Sequence, residues 1–355
     1  MGHIVIINDY SLAESWRDAR EGRSPLHFLY GVDHLEEQGH QLTILSEEWS
    51  RWLAFLDRKL RRFPIPLGSL DRQGAAIRFL ERADAIYAPC QTQTQALTYL
   101  AAFGVVRTPI ICLGHHPLLR GRPAGRKLRR PFLSLMLRGL AAMPTLSRAV
   151  ADEANAVAAR PLATPLRWGP DAPFYRATPE EPGHSVIAAG RTGRDFEIFG
   201  RAATVTGVPA TILTLRSMVS PEFASFGSNI AVLASDRFVD YATTVRMFAS
   251  ARALAIPMVA QDGLCGLTSL LDALGAGKPV IMTRNAFIDI DIEQLGIGRW
   301  VDPGDLQGWK EALRFFDDNP AVAVEMGRRA RALVDAGLNY RSFSEAVARI
   351  VHDCL

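Results

Sequence analysis

The densest set of phosphate-binding residue types is Gly190-Arg191-Thr192-Gly193-Arg194, directly after the apolar run Ser185 to Ala189. A glycine lets an anion approach the backbone, and a guanidinium can hold two phosphate oxygens at once. Such a loop either clamps a diphosphate or is a turn with solvated arginines. A second set begins at Gly266-Leu267-Thr268-Ser269-Leu270-Leu271-Asp272 and runs through Gly275, Gly277, Lys278 and Pro279 into Val280-Ile281-Met282. Its order predicts a loop, a helix, a tight turn at Gly275 and Gly277, and a buried strand. Thr268 or Ser269 is the expected helix cap, with Asp272 in the first turns, where an acid suits the positive end. Ala253 to Gly263, just before, predicts another strand and a glycine-containing loop. A helix that starts at the carboxyl end of a strand offers free N–H groups to an anion. Many α/β folds build the same unit with nothing bound.

His115 and His116 lie just past the strand expected at Ile110 to Leu113. They are either one packed and one exposed histidine or polar groups aimed at a reacting centre. Asp195, Asp262, Asp289 and Asp291 are loop acids, open to solvent or to sugar hydroxyls. No carboxylate pair follows a strand with the spacing of a metal–diphosphate clamp, so no catalytic metal and no resident cofactor are expected. No GxGxxG follows the first strand, which argues against a dinucleotide-dependent enzyme. A pair of carboxylates flanking a glycosidic bond, as hydrolysis needs, cannot be argued from the pattern.

These groups need two successive α/β sets to position them. The first has strands at His3 to Ile7, Gln41 to Leu45, Ala85 to Ala88 and Ile110 to Leu113. Helices are expected at Leu26 to Gln38, Glu47 to Arg62, Ala75 to Glu81, Thr92 to Ala102, Lys127 to Ala141 and Arg148 to Ala158. Asn8 to Pro25 reads as a polar loop, and six prolines between Ala159 and Gly183 mark the linker. The second set alternates strands and helices from Ser185 to Val301 and ends in three helices. The expected division is 1–165, a linker at 166–184, a second domain at 185–335, and a helix at 336–355 that packs back on the first domain.

The Gly266 to Ile281 segment resembles the donor-binding segment of the retaining GT-B glycosyltransferases of family 4. GHQLTIL, LSRAVADEA and PLRWGPDAPFY resemble further phrases of that family, so the resemblance spans nearly the whole chain. It implies two Rossmann-like parallel-sheet domains facing across a cleft, an acceptor-binding first domain and a second domain holding a nucleotide-diphosphate-sugar. It further implies that Gly190, Arg191, Arg194, Gly266, Leu267, Thr268 and Ser269 meet the diphosphate and Asp272 the ribose. Asp236 and Phe238 fall where the base-binding segment would lie. Arg191 would stabilise the leaving group, and His115 or His116 would approach the sugar at the reacting carbon. The family usually carries Glu at the position of Asp272 and another Glu eight residues earlier, where this chain has Leu264; Asp262 is the nearest acid. A nucleotide-sugar epimerase of the same fold and a non-catalytic nucleotide-sugar-binding protein are the rival readings.

The 355 residues allow one large or two mid-sized domains. The four cysteines have no paired or metal-ligand spacing, which fits reduced thiols. With neither a leader pattern nor an apolar run of spanning length, the expected location is cytoplasmic. Ala85 to Ala151 contains nine basic and no acidic residues, leaving the rest of the chain net negative. Such a block calls for an anionic partner or a solvated face. The candidate partners are a lipid-linked, sugar or small-molecule acceptor and the inner face of an anionic membrane. Few aromatics are interleaved with these charges, which weighs against nucleic acid.

Overall fold

The computed structural model of the chain describes residues 1–8, 10–45, 50–60, 65, 67–119, 123–176, 183–237, 239–259 and 263–355. The chain divides into two compact units. One comprises Met1–Glu21, Leu26–Trp168 and Tyr340–Leu355; the other comprises Gly22–Pro25 and Gly169–Asn339. In chain order the first holds β1 (His3–Ile7), α1 (Leu12–Arg20), α2 (Val32–Glu37), β2 (Gln41–Leu45), α3 (Arg51–Leu60), α4 (Leu70–Ile77), β3 (Ala85–Ala88) and α5 (Gln95–Ala102). It continues with β4 (Ile110–Cys112), α6 (Pro123–Arg138), β5 (Met143–Thr145), α7 (Arg148–Ala158) and β6 (Ala163–Pro165). The second holds α8 (Ala172–Arg176), β7 (Val186–Ala189), α9 (Phe196–Thr206), β8 (Ala210–Leu215), β9 (Ile230–Ser235), α10 (Tyr241–Ala249) and β10 (Ala253–Ile256). After these come α11 (Leu267–Ala276), β11 (Val280–Thr283), β12 (Gly298–Val301), α12 (Leu306–Asp318) and α13 (Pro320–Asp335); α14 (Tyr340–His352) returns to the first unit.

The first unit is built on a parallel sheet of order β2-β1-β3-β4. Parallel bridges at Ile111–Ala142 and Gly114–Thr145 attach the β5–β6 pair beyond β4. β1 after His3 and all of β3 are apolar and almost wholly buried, as strands covered on both faces are. On one face Val5, Ile7, Ile86 and Ile110 pack with Ala76, Leu97, Leu137 and Ala154 of α4, α5, α6 and α7.

Three expectations for this unit are corrected. Asn8 to Pro25 is not all loop: Ser11 caps α1 by accepting from Glu14 N, and Leu12 and Trp16 anchor it. Those two apolar residues are too sparse a pattern to announce a helix. The continuous helix at Leu26 to Gln38 is instead a 3-10 turn at Leu26–Leu29 followed by α2. Tyr30 and Gly31 both take positive φ between them (+51° and +87°). Tertiary bonds replace the helical ones there: Tyr87 OH donates to Tyr30 O at 2.8 Å, and Gly31 N donates to Tyr340 OH at 2.9 Å. The helix expected at Lys127 to Ala141 is α6, Pro123–Arg138, which starts earlier and buries Leu133, Met136 and Leu137 while Leu128 is 60% exposed. The proline-rich stretch also contains more order than a linker, since β6 and α8 lie within it. Its residues 177–182 are outside the described ones.

The second unit is a six-stranded, fully parallel sheet of order β12-β11-β10-β7-β8-β9. Counted from β7, this is the doubly wound arrangement, and the strand order reverses between β7 and β10. A crevice opens at such a point outside the carboxyl ends of the two strands. Phe199, Trp309, Leu313 and Phe316 fill the core on one face, with Phe199 and Trp309 edge-to-face at 5.9 Å.

Candidate functional site

β7 and β10 lie side by side, with Ala255 opposite Ala188, and their loops leave the sheet together. An antiparallel bridge between Arg194 and Met258 stitches the loops across the reversal: Asp195 N donates to Pro257 O at 3.0 Å, and Val259 N donates to Gly193 O at 3.0 Å. Gly190 has φ +125°, and a Cβ there would lie 2.4 Å from Arg194 Nη2. Only glycine therefore suits the position. Arg194 turns inward. Its Nε donates to Ala189 O at 2.8 Å, Nη1 to Thr192 O at 3.3 Å and Nη2 to Ser269 Oγ at 2.7 Å. Burial lowers its pKa to about 10, with Cys265 and Asp272 opposing the fall. Arg191 is exposed at the rim of the same loop, and Asp195 caps α9 through Ile198 N.

α11 begins beside this loop. Its N-cap is Gly266 in the left-handed region (φ +92°), with no side-chain cap, so neither Thr268 nor Ser269 performs the expected capping. Leu267 is buried in the core, Thr268 is exposed, and Ser269 is held by Arg194. Gly277 ends the helix in a left-handed cap. Gly275 is still helical, and its missing side chain makes room for Tyr175: a Cβ would lie 2.5 Å from the ring.

Asp272 sits in the second turn and is buried. Tyr175 OH, from α8, donates to its Oδ1 at 2.6 Å, and Tyr241 OH, from the first turn of α10, donates to the same oxygen. Burial raises the carboxyl pKa from 3.8 to about 6, opposed by the two tyrosine bonds and by Arg194. Burial and the adjacent carboxylate push both phenols well above their ordinary range, so both remain protonated donors. The structure thus brings together Gly190, Arg194, Ser269 and Asp272 at the strand reversal. The sequence places Tyr241 at the end of the expected base-binding segment and Tyr175 at the end of PLRWGPDAPFY, but brings neither to Asp272. Asp240, the cap of α10 before Tyr241, was the available signal.

Asp236 stands apart from this cluster, at the end of β9, in an exposed ion pair with Arg216 at 3.0 Å. Phe238 and Asp262 lie outside the described residues. Asp291 accepts from Glu293 N, Gln294 N and Trp300 Nε1, each at 3.2 Å, and so closes its own loop. In the first unit, His115 and His116 follow β4 and are half-buried. Gln91 Oε1 accepts from both of their backbone amides (2.6 and 2.8 Å), and Gln91 Nε2 donates to His116 O. His115 Nε2 donates to Pro89 O at 2.6 Å, which fixes its proton on that nitrogen. Gln91 escaped the sequence reading because nothing local links it to residues 24 positions on.

The same architecture occurs in solved structures. Anabaena HepE in complex with UDP superposes with a TM-score of 0.69 over 99% of this chain and 100% of that one, at 14% identity. The alpha,alpha-trehalose 6-phosphate synthase of Burkholderia multivorans gives 0.69 over 99% of each chain at 13% identity. The fold is that of the GT-B glycosyltransferases. A GT-B sucrose-phosphate synthase from Thermosynechococcus elongatus gives 0.65 at 12% identity, with 99% of both chains covered. No protein-family model and no curated protein matches the sequence. Among the described residues, no helix is long and apolar enough to cross a membrane.

Proposed function

We propose that this chain is a retaining glycosyltransferase of the family 4 type, which moves a sugar from a nucleotide-diphosphate-sugar to an acceptor. The observation that carries the reading is the cluster at the β7–β10 reversal. A glycine-only loop, the exposed guanidinium of Arg191, the amino end of α11 and a recessed carboxylate occur together there. The helix end and Arg191 suit a diphosphate. They would also stabilise the charge that grows on it as the sugar–phosphate bond breaks. Arg194 and Ser269 shape that loop, and Asp272 supplies charge on the nucleoside side. HepE, of like fold, has been solved with UDP and with UDP-glucose, which supports a nucleotide-sugar donor. His115 is the preferred polar group for the sugar in the first unit, because its ring orientation is fixed by Pro89 O.

A thermal-shift panel of nucleotides and nucleotide-sugars tests this reading. A ligand at about 100 times its dissociation constant should add about 2.7 kcal/mol to stability. Absence of a shift with every nucleotide would overturn it. We propose that no metal or resident cofactor is needed, so the shifts should persist in EDTA. Shifts abolished by EDTA and restored by magnesium or manganese would reverse that part.

The acceptor is proposed to be anionic or membrane-borne, at the cytoplasmic face. Arg126, Lys127, Arg129 and Arg130 are exposed on the amino half of α6 beside exposed Leu128. Each basic residue near an anionic bilayer contributes about 1 kcal/mol. Co-sedimentation with anionic vesicles at low salt should therefore exceed that with neutral vesicles, and should fade as salt shortens the Debye length to about 8 Å. Equal sedimentation with both vesicle types would leave a soluble acceptor.

A further inference from the structure

We propose that α3, through Trp52 and Phe55, anchors the first unit in the surface of an anionic lipid bilayer. The inference rests on the membrane-borne acceptor reading above and adds an apolar anchor to the basic attraction of α6. Trp52 is 67% and Phe55 50% exposed, and the spacing of Trp52, Phe55 and Lys59 sets them on one side of the helix. Lys59 is exposed too, with its Nζ 5.4 Å from the centre of the Phe55 ring. Leu53, Leu56 and Leu60 form a separate, half-buried row, and α3 packs against α4. Packing within the unit thus engages the leucines of α3 and leaves its aromatics outside.

The surroundings of α3 point to lipid. α3, α4, α5 and α6 pack side by side. Among the described residues, the exposed large apolar side chains of the first unit, chain ends apart, all lie on these four helices or in the turn after α5. Charge divides the same way. Arg51 to Arg62 carries five basic residues against one acid, Asp57, and Ala85 to Ala151 has no acid at all. The crossover from β1 to β2 runs opposite to that from β3 to β4, so right-handed connections put α2 on the other sheet face from α5. Around α2 the cations are matched by acids: Arg20 meets Glu36 at 3.0 Å and Arg341 meets Glu37 at 2.9 Å. The basic face of α3 to α6 complements anionic headgroups. Tryptophan and phenylalanine settle where headgroups meet acyl chains, and a lysine stem beside them carries its ammonium back to the phosphates. All four strands of the sheet are parallel, so α3 and α6 start from the edge at which His115 and His116 follow β4. A bilayer held by both helices lies beside that edge, where a lipid-borne acceptor is needed.

The test uses the full-length protein with vesicles of phosphatidylcholine alone or mixed with phosphatidylglycerol. Native protein should bind the anionic vesicles and keep part of that binding at about 0.15 M salt, where the Debye length is about 8 Å. Trp52→Ser/Phe55→Ser, shown folded by its unfolding transition, should lose about tenfold or more in vesicle affinity at either salt, because two rings no longer leave water. Arg129→Gln/Arg130→Gln should instead lose binding chiefly at low salt. Lipids brominated on the acyl chain should quench native fluorescence more than that of Trp52→Phe, which isolates this one of the six tryptophans. Equal quenching in those two proteins, or native-like binding by the serine variant, overturns the anchor and leaves the electrostatic reading standing. Native protein that ignores anionic vesicles removes the membrane-borne reading and the anchor together. Native dimers in place of vesicle binding, absent from the serine variant, would give the face to a second copy and overturn the proposal.

Discussion

Replacing Arg194 with lysine is expected to remove nearly as much nucleotide affinity as replacing it with alanine. The guanidinium is not simply a positive charge near a phosphate. Its three nitrogens reach Ala189 O, Thr192 O and Ser269 Oγ, and so join the end of β7 to the first turn of α11. A lysine ammonium has the charge but not the planar fork, and it cannot span these partners at once. Each hydrogen bond from a charged donor contributes about 1.5–3 kcal/mol, so losing this fork should cost at least tenfold in affinity. Arg191 provides the contrast. It is exposed on the same loop, and Arg191→Lys should keep a substantial part of native binding while Arg191→Ala should not. Titration of UDP by calorimetry against the four variants, with circular dichroism to verify folding, separates the two roles. Native affinity in Arg194→Lys would show that the charge alone suffices and that the latch is unimportant.

The same residue shows how far the sequence could be read. Gly190 to Arg194 was recognisable as a phosphate-type loop because glycine and arginine carry their chemistry in their identities. The inward turn of Arg194 was not, because it depends on Ser269 arriving from a helix 75 residues away. The strands were legible for a different reason. β1, β3, β7, β10 and β11 are covered on both faces, so each is a short apolar run, with His3 at the start of β1 and Thr283 at the end of β11 as the polar ends. Helix interruptions were hidden where tertiary bonds compete with local ones. Tyr30 and Gly31 stop a helix whose apolar spacing continues smoothly, because Tyr87 and Tyr340 take their backbone groups. Gly275 was read as part of a turn, the commonest use of glycine at a helix end. Its actual role, space for Tyr175, is set by a residue 100 positions earlier. The acid cluster combines both cases: Asp272 was visible through its segment, but its two phenol partners come from α8 and α10.

Asp272→Asn should bind nucleotide more weakly than the native protein at pH 7 and yet unfold at an equal or higher temperature. The buried carboxyl titrates at about 6, above the ordinary 3.8, and burial is the largest cause. Between those two values the folded chain retains a proton that the unfolded chain has released. Native stability therefore falls as pH rises across that window, and the cost is fully present above about pH 6. The separation corresponds to on the order of 3 kcal/mol. Asparagine keeps an oxygen that can accept from Tyr175 and Tyr241 but never has to ionise, so it escapes that cost. Ligand binding runs in the opposite direction. The ionised acid is the form that supplies charge on the nucleoside side in the proposed function, so native affinity should fall as pH drops through about 6. The asparagine protein should lack this step and bind at all pH values at the level the native protein reaches when protonated. Calorimetry with UDP from pH 5 to pH 8, paired with thermal unfolding at each pH, measures both effects on the same samples. A native affinity that is flat through pH 6, or an asparagine variant that retains the native pH profile, would detach Asp272 from nucleotide binding and leave it as a packing residue of α11.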